Sequence, residues 1–208
     1  MSEKVRLASI GLGWWGYVLA DAVNRSGAAE IVTCFARTES TRQEFAEKYG
    51  CRAAGSFEEV LKDAEVQGLL TATPHSHHPE LIAQAAAAGK HIFVEKPFTL
   101  TVAEAKKAIA DAQEAGVVLQ VGHHRRRTGA NRRIKEMIDH NKLGVPHQFE
   151  ATFVISKPQP PTWRSEPGEQ PLGGLTGLGV HMIDTFHYFT GPMKRVFCFS
   201  KQITGQQP

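Results

Sequence analysis

Five times in about its first 120 residues, the chain sets a short apolar run ahead of a stretch with helical periodicity. The runs are VRLASI (5–10), EIVTCFA (30–36), VQGLLTAT (66–73), HIFVE (91–95) and VVLQVG (117–122). Each is brief and rich in large or β-branched apolar side chains, as strands buried on both faces of a parallel sheet are. The intervening segments carry helix-end signals. Ser40 with Gln43, Ser56 with Glu59 and Thr101 with Glu104 have capping-box spacing, Pro79 suits a first helical turn, and Gly50, Gly89 and Gly116 suit helix ends. The alternation predicts an α/β fold with a doubly wound parallel sheet of Rossmann type over 1–122. In such a sheet ligands bind beyond the C-terminal ends of the strands, so the loops after residues 10, 36, 73 and 95 are the places to search.

After residue 122 the texture changes, and a second, smaller domain is expected over 123–208. ANRRIKEMIDHNKLG reads as a helix stopping at Gly144, and VHMIDTFHYFTG as a helix ending at Gly191. Strands are expected around 147–155 and 195–203. Between them lies a Pro/Gly-rich stretch of 24 residues, 156–179, expected to be neither helix nor strand. Structureless loops of that length are usually functional.

The 208 residues are 41% apolar and 22% charged, enough for a real core, and the net charge of +3 is too mild to argue for a nucleic-acid partner. Cys34, Cys51 and Cys198 are odd in number and form no CxxC, which argues against a disulfide framework or zinc ribbon and for a reducing compartment. No apolar run is long enough to span a bilayer, and the N-terminus lacks a signal-peptide core. A cytoplasmic protein without a membrane partner is expected.

GLGWWG follows the first expected strand and opens the first expected helix, which is the setting that gives G-x-G-x-x-G its meaning. Gly11 would make the tight turn, Gly13 would let backbone reach a pyrophosphate, and Gly16 would let the helix lie close to the strand. The helix N-terminus adds N–H donors. Only the three glycines must be small. Trp14 can offer its backbone N–H while its ring points elsewhere, and at least one indole of Trp14 and Trp15 is expected to line the cleft between cofactor and substrate. At the end of the second run an acidic residue would bind a ribose 2′-hydroxyl, but the chain has Ala36, then Arg37 and Thr38. Without that carboxylate a 2′-phosphate is not repelled, and Arg37 with Thr38 or Ser40 could pair with it, so NADP is expected ahead of NAD.

HIFVEKPF places Glu95, Lys96 and Pro97 where the fifth strand leaves the sheet. Pro97 restricts the local backbone and so the direction of Lys96. Beside a cationic oxidised nicotinamide, a lysine is disfavoured as ammonium and suited to acid–base work.

Together GLGWWG, TATPHSHHPELIAQAAAAGKHIFVEKPFTLT and GLGVHMID resemble the Gfo/Idh/MocA family of oxidoreductases over essentially the whole chain. The resemblance implies an N-terminal Rossmann domain, a C-terminal α/β domain that often forms oligomer contacts, and NAD(P)-dependent chemistry on sugars, cyclitols and related hydroxy compounds. It implies that Lys96 is the catalytic lysine, and that Thr73, Pro74 and His78 belong to the cofactor-side loop. It further implies a catalytic His181 within H-x-x-D, completed by Asp184, which lies one helical turn on and could orient the imidazole. The family's Asp four residues before that histidine is Gly177 here. His181 and Lys96 would then have to suffice. A non-catalytic dinucleotide-binding protein, either a sensor or a truncated remnant, is the alternative.

His75, His77 and His78 cluster in one loop, and His123 and His124 in another. Without cysteine or carboxylate partners at ligand spacing no metal site is expected, and contact of the loop histidines, His75 included, with nicotinamide or substrate is. The run HHRRR (123–127) with Arg132 and Arg133 reads as a solvated crossover helix, one of whose arginines could meet an acidic substrate group. Family members usually continue further. Two C-terminal strands are marginal alone, so a homo-oligomer through a completed C-terminal sheet, a sticky edge or a fragment of a longer chain is expected.

Overall fold

The computed structural model describes residues 4–154, 162–166, 168–199 and 201. The chain divides into two compact units, Met1–Gly122 and His123–Pro208.

The first unit is built on one sheet of six strands: β1 (Val5–Ile10), β2 (Ala29–Phe35), β3 (Arg52–Ala53), β4 (Gly68–Thr71), β5 (His91–Val94) and β6 (Leu119–Val121). All pairings are parallel, in the order β3-β2-β1-β4-β5-β6. The helices are α1 (Trp14–Ser26), α2 (Glu39–Tyr49), α3 (Phe57–Lys62), α4 (His78–Ala87) and α5 (Val102–Glu114). Strand order reverses between β1 and β4, so the loops after these two strands diverge and open the crevice that such sheets use for ligands. Buried Ala8, Ile10, Leu69, Ile82 and Val94 form one apolar cluster, and Ala20, Ile31, Cys34 and Phe45 form another. Phe45 is fully buried, which stabilises the fold by about 2–3 kcal/mol relative to an exposed ring.

Two of the three capping pairs form as expected. Ser56 Oγ accepts from the Glu59 N–H at 3.1 Å while the Glu59 carboxylate accepts from Gly55, and Thr101 and Glu104 make the reciprocal box. Ser40 does not cap α2, because Thr38 occupies the N-cap and the Arg42 N–H closes the first turn on the Thr38 carbonyl. β3 is an additional strand. It has two residues, is fixed by Ala54 N–H donating to Cys34 O, and is too short to show as an apolar run.

In the second unit α6 (Gly129–Asp139) starts at Thr128, whose hydroxyl accepts from Asn131 N–H, and ends at His140, earlier than the expected stop at Gly144. α7 (Val180–Thr190) ends at Gly191 as expected. The run 124–127 is a short 3-10 turn rather than a crossover helix. The Pro/Gly stretch carries local helical structure: a 3-10 turn at Trp163–Ser165 and a wide π turn at Leu175–Gly179 that runs into α7. Among the described residues, 147–154 and 195–199 form no strand. A strand exists only through a partner's hydrogen bonds, and no pairing is formed there. Val154, Val196, Phe197 and Phe199 stand exposed, whereas Phe149 packs on Phe186 and Phe189 of α7. Lys201 is likewise in no strand, and positions 155, 200, 202 and 203 of those two expected strands lie outside the described residues.

Candidate functional site

The loop after β1 is shaped by its three glycines in three different ways. Gly11 has φ +86, and its N–H donates to Phe35 O at 3.1 Å. A Cβ on it would meet Ala72 O at 2.5 Å. A Cβ on Gly16 would come within 2.4 Å of Gly11 O, so the start of α1 lies directly on the turn. A Cβ on Gly13 would meet nothing within 4 Å. The open side of the loop is therefore at Gly13, the N-cap of α1, where helix N–H groups and dipole favour an anion.

Beside it lies a cavity of about 550 Å³ to which Gly11, Gly13, Ala36, Arg37, Thr38 and Thr73 contribute from the loops after β1, β2 and β4. Arg42 supports the second of these loops: its guanidinium donates to Ala36 O at 2.8 Å and to Arg37 O at 3.2 Å. Sequence reasoning did not single out Arg42, or Thr41, which also lines the cavity. Their helical spacing from Arg37 and Thr38 was the available signal. The hydroxyl of Thr73 is buried at the cavity wall without a hydrogen-bond partner. The open Gly13 position, the unsatisfied Thr73 hydroxyl and the Arg37 cation together fit an adenine dinucleotide with its pyrophosphate over the glycine loop.

Pro74 also lines the cavity, but the histidines after it divide differently from expectation. His75 (3% exposed) and His78 (0%) are buried, and the loop histidine that lines the cavity is His77. His78 Nδ1 lies 3.0 Å from Pro97 O and 3.1 Å from Phe98 O, and Nε2 lies 3.2 Å from Thr73 O. Its ring joins the loop after β4 to the loop after β5. The reason is the helical register: α4 begins at His78, which turns the ring inward.

β5 delivers Glu95 and Lys96 to the same end of the sheet. Glu95 N–H donates to Thr71 O, which holds it in the line of the sheet, and its carboxylate is buried. Burial pushes that carboxyl above its ordinary pKa, while the Trp15 indole N–H, the Lys96 backbone N–H and the Lys96 charge pull it back. A Cβ on Gly122 would sit 2.6 Å from Glu95 Oε1, so this carboxylate needs a glycine at the end of β6. Trp15 is thus turned toward Glu95, while Trp14 is 77% exposed, and neither indole lines the 550 Å³ cavity. The Lys96–Pro97 peptide is cis.

In the second unit His181 (5% exposed) and Asp184 (8%) are both buried on α7. The Asp184 carboxylate is held by Arg126, with Nε at 2.8 and 3.0 Å from its two oxygens, and His123 Nδ1 is 3.7 Å away. Hydrogen bonding to Asp184 raises the Arg126 pKa further. Asp184 therefore anchors the 124–127 turn, and the expected basic run spends one of its cations on a buried carboxylate. The His181 ring meets His124 edge-on at 4.9 Å between centroids. At Gly177, one turn before His181, the space for a side chain is taken by the Gln170 carboxamide, whose Oε1 would lie 3.1 Å from a Cβ. Among the described residues no cluster of three or more His, Cys, Asp or Glu could hold a metal ion, and no helix is long and apolar enough to cross a membrane.

Comparison with known proteins agrees with this geometry. The family profile "Oxidoreductase family, NAD-binding Rossmann fold" matches residues 5–123, and "GFO/IDH/MocA C-terminal domain" matches 131–207. The chain is 32% identical over 193 residues to a scyllo-inositol 2-dehydrogenase (NAD(+)) of Bacillus subtilis, covering 92% of this chain and 55% of that protein. It is 30% identical over 186 residues to a 1,5-anhydro-D-fructose reductase of Ensifer adhaerens, covering 84% and 55%. Among solved structures, an oxidoreductase from Desulfitobacterium hafniense superposes with a TM-score of 0.86 at 39% identity, over 92% of this chain and 56% of that one. An NAD-binding protein from Listeria innocua does so with a TM-score of 0.82 at 28% identity, over 90% and 55%. The chain spans about half the length of the curated relatives it matches. With both of its units matched, the chain belongs to the Gfo/Idh/MocA family of NAD(P)-dependent oxidoreductases.

Proposed function

We propose that this chain carries the cofactor-binding and proton-transfer residues of an oxidoreductase that moves a hydride between NADP(H), or secondarily NAD(H), and a secondary alcohol or ketone of a sugar, cyclitol or related hydroxy compound. The observation that carries the reading is the glycine loop, closed at Gly11 and Gly16 and open at Gly13, beside a cavity that presents Arg37 and the unsatisfied Thr73 hydroxyl. The printed activities of the inositol dehydrogenases and the anhydrofructose reductase support the polyol class. Relatives named for NAD(+) and for NADP(+) both occur, so the preference for NADP(H) rests on Ala36 and Arg37 alone.

Gly13 and the first turn of α1 bind the pyrophosphate, Thr73 donates its hydroxyl toward the dinucleotide, and Arg37 with Thr38 pairs with the 2′-phosphate. The bound dinucleotide supplies or accepts the hydride. Lys96 gives or takes the proton of the reacting oxygen, and His181 donates a hydrogen bond to that oxygen. Glu95 positions the start of the Lys96 loop through the Lys96 N–H, at 3.1 Å. A homo-oligomer contact through the second unit is supported by the exposed Val196, Phe197 and Phe199.

The second reading is a dinucleotide-binding protein without turnover, favoured by the missing carboxylate at Gly177. A panel of sugars, cyclitols and hydroxy acids assayed by NADPH absorbance separates the two. On the enzyme reading, Lys96→Met lowers turnover at least about 100-fold while cofactor affinity stays within about threefold. Cofactor binding with no turnover on any panel member establishes the second.

A further inference from the structure

The stretch 123–133 holds five arginines, and the structure employs them differently. Arg126 is held by Asp184, and Arg133 pairs with Glu136 at 2.8 Å on the surface of α6. Arg127 and Arg132 are exposed. Arg125 is half-buried, and its Nε is covered without a hydrogen-bond partner. Among the described residues no carboxylate forms an ion pair with it.

This cation is fixed at both ends. The Arg125 carbonyl accepts from the Thr128 N–H at 3.2 Å, the Thr128 hydroxyl at 3.0 Å and the Asn131 carboxamide at 2.9 Å, which ties its backbone to the start of α6. Its guanidinium lies over the Phe153 ring, 5.5 Å from the centroid. An aromatic face supports the guanidinium plane without consuming its N–H donors. The residues on either side join the turn to α7: the His124 ring meets His181 at 4.9 Å, and Arg126 grips Asp184. A fixed cation without a carboxylate partner therefore stands one residue from the contact that reaches His181. Partial burial of such a charge costs free energy that an incoming anion offsets.

We propose that Arg125 is a specificity-determining residue that binds a carboxylate of the substrate, so that the preferred hydroxy compounds are sugar acids and related hydroxy acids rather than neutral polyols. The proposal rests on the reading that His181 binds the reacting oxygen. A carboxylate offers two coplanar oxygens that match the N–H fork of a guanidinium, whereas the hydroxymethyl group of a neutral polyol offers one uncharged acceptor. Since Arg125 and the His181 contact belong to one short turn, the carboxylate and the reacting carbinol carbon lie within the reach of one small molecule.

The test is equilibrium binding to the full chain by isothermal titration in the presence of NADPH, with two matched pairs of probes: D-gluconate against D-glucitol, and D-glucuronate against D-glucose. The expected result is that the acidic member of at least one pair binds at least about tenfold more tightly than its neutral counterpart. Arg125→Ala abolishes that preference. Arg125→Lys keeps the charge but not the planar fork and retains only part of it. Arg127→Ala, at the exposed neighbour, leaves it unchanged. Equal binding within both pairs, tighter binding of the neutral members, binding of no probe, or a preference undiminished in Arg125→Ala overturns the proposal. Turnover of the neutral members alone overturns it while leaving the oxidoreductase reading intact. Arg125-dependent binding of a sugar acid without turnover upholds the carboxylate site and counts against the oxidoreductase reading.

Discussion

Arg126 grips Asp184 side-on: its Nε reaches both carboxylate oxygens and an Nη lies 2.5 Å from Oδ1. The carboxylate is nearly buried, so its partner matters more than that of a surface ion pair. Arg126→Ala removes the hydrogen-bonding cation, leaves the carboxylate only the more distant His123, and lowers stability by about 2–3 kcal/mol. Adding Asp184→Asn recovers part of that loss. Chemical denaturation of both variants checks this; equal losses in the single and double variants would show that the pair contributes little.

The three glycines of the first loop separate folding from binding. Gly16→Ala forces a contact with the backbone carbonyl of Gly11 and destabilises the first unit by about 1–3 kcal/mol. Gly13→Ala points into open space, keeps stability within about 1 kcal/mol and weakens dinucleotide binding by about tenfold. Thermal melts paired with cofactor titrations distinguish the two. Unchanged binding in folded Gly13→Ala would place the pyrophosphate elsewhere.

Cofactor choice is predicted to turn on two adjacent residues. Ala36→Asp puts a carboxylate where a 2′-phosphate would lie and lowers NADP(H) affinity by about 10–100-fold, while leaving NAD(H) equal or tighter. Arg37→Ala shifts the ratio in the same direction by about tenfold. If both cofactors bind each variant as they bind the wild type, the loop does not read the ribose.

Glu95 predicts a pH signature. Burial is the largest influence on its carboxyl and raises the folded pKa above the unfolded one. A group of that kind holds its proton more tightly when folded, so its stabilising contribution is complete below the unfolded pKa and is lost as pH rises through the folded value. Glu95→Gln has no group there to titrate. The variant therefore gains stability relative to the wild type as pH rises above the ordinary glutamate value of about 4. A stability difference that stays constant over that range refutes the shift.

What the sequence disclosed was what is local. The strands at 5–10 and 91–94 and the caps at Ser56 and Thr101 are visible because their determinants lie within a few residues. The glycine loop is likewise readable from its spacing, although the carbonyl that crowds Gly11 comes from distant Ala72 and Gly13 meets nothing within 4 Å. β3 escaped because two residues carry no periodicity. The C-terminal strand expectations failed over the described residues because alternation marks a segment able to pair but says nothing of its partner. The Arg126–Asp184 pair spans 58 residues, and the contacts of Glu95 with Trp15 and with Gly122 cross from one loop to another. Such relationships have no spacing to read. The inward turn of His78 belongs to the same class, since a loop of three histidines does not announce which one faces the core.

That imidazole has a mechanical meaning. Its two nitrogens face carbonyls from both sides of the crevice mouth, one strand-end loop carrying Thr73 and the other leading out of Lys96. The two loops are therefore riveted into one stiff lever. On the proposed reading, a dinucleotide held against Thr73 and the backbone that leads out of Lys96 share this one support, so the cofactor groove and the proposed proton-transfer lysine are braced together.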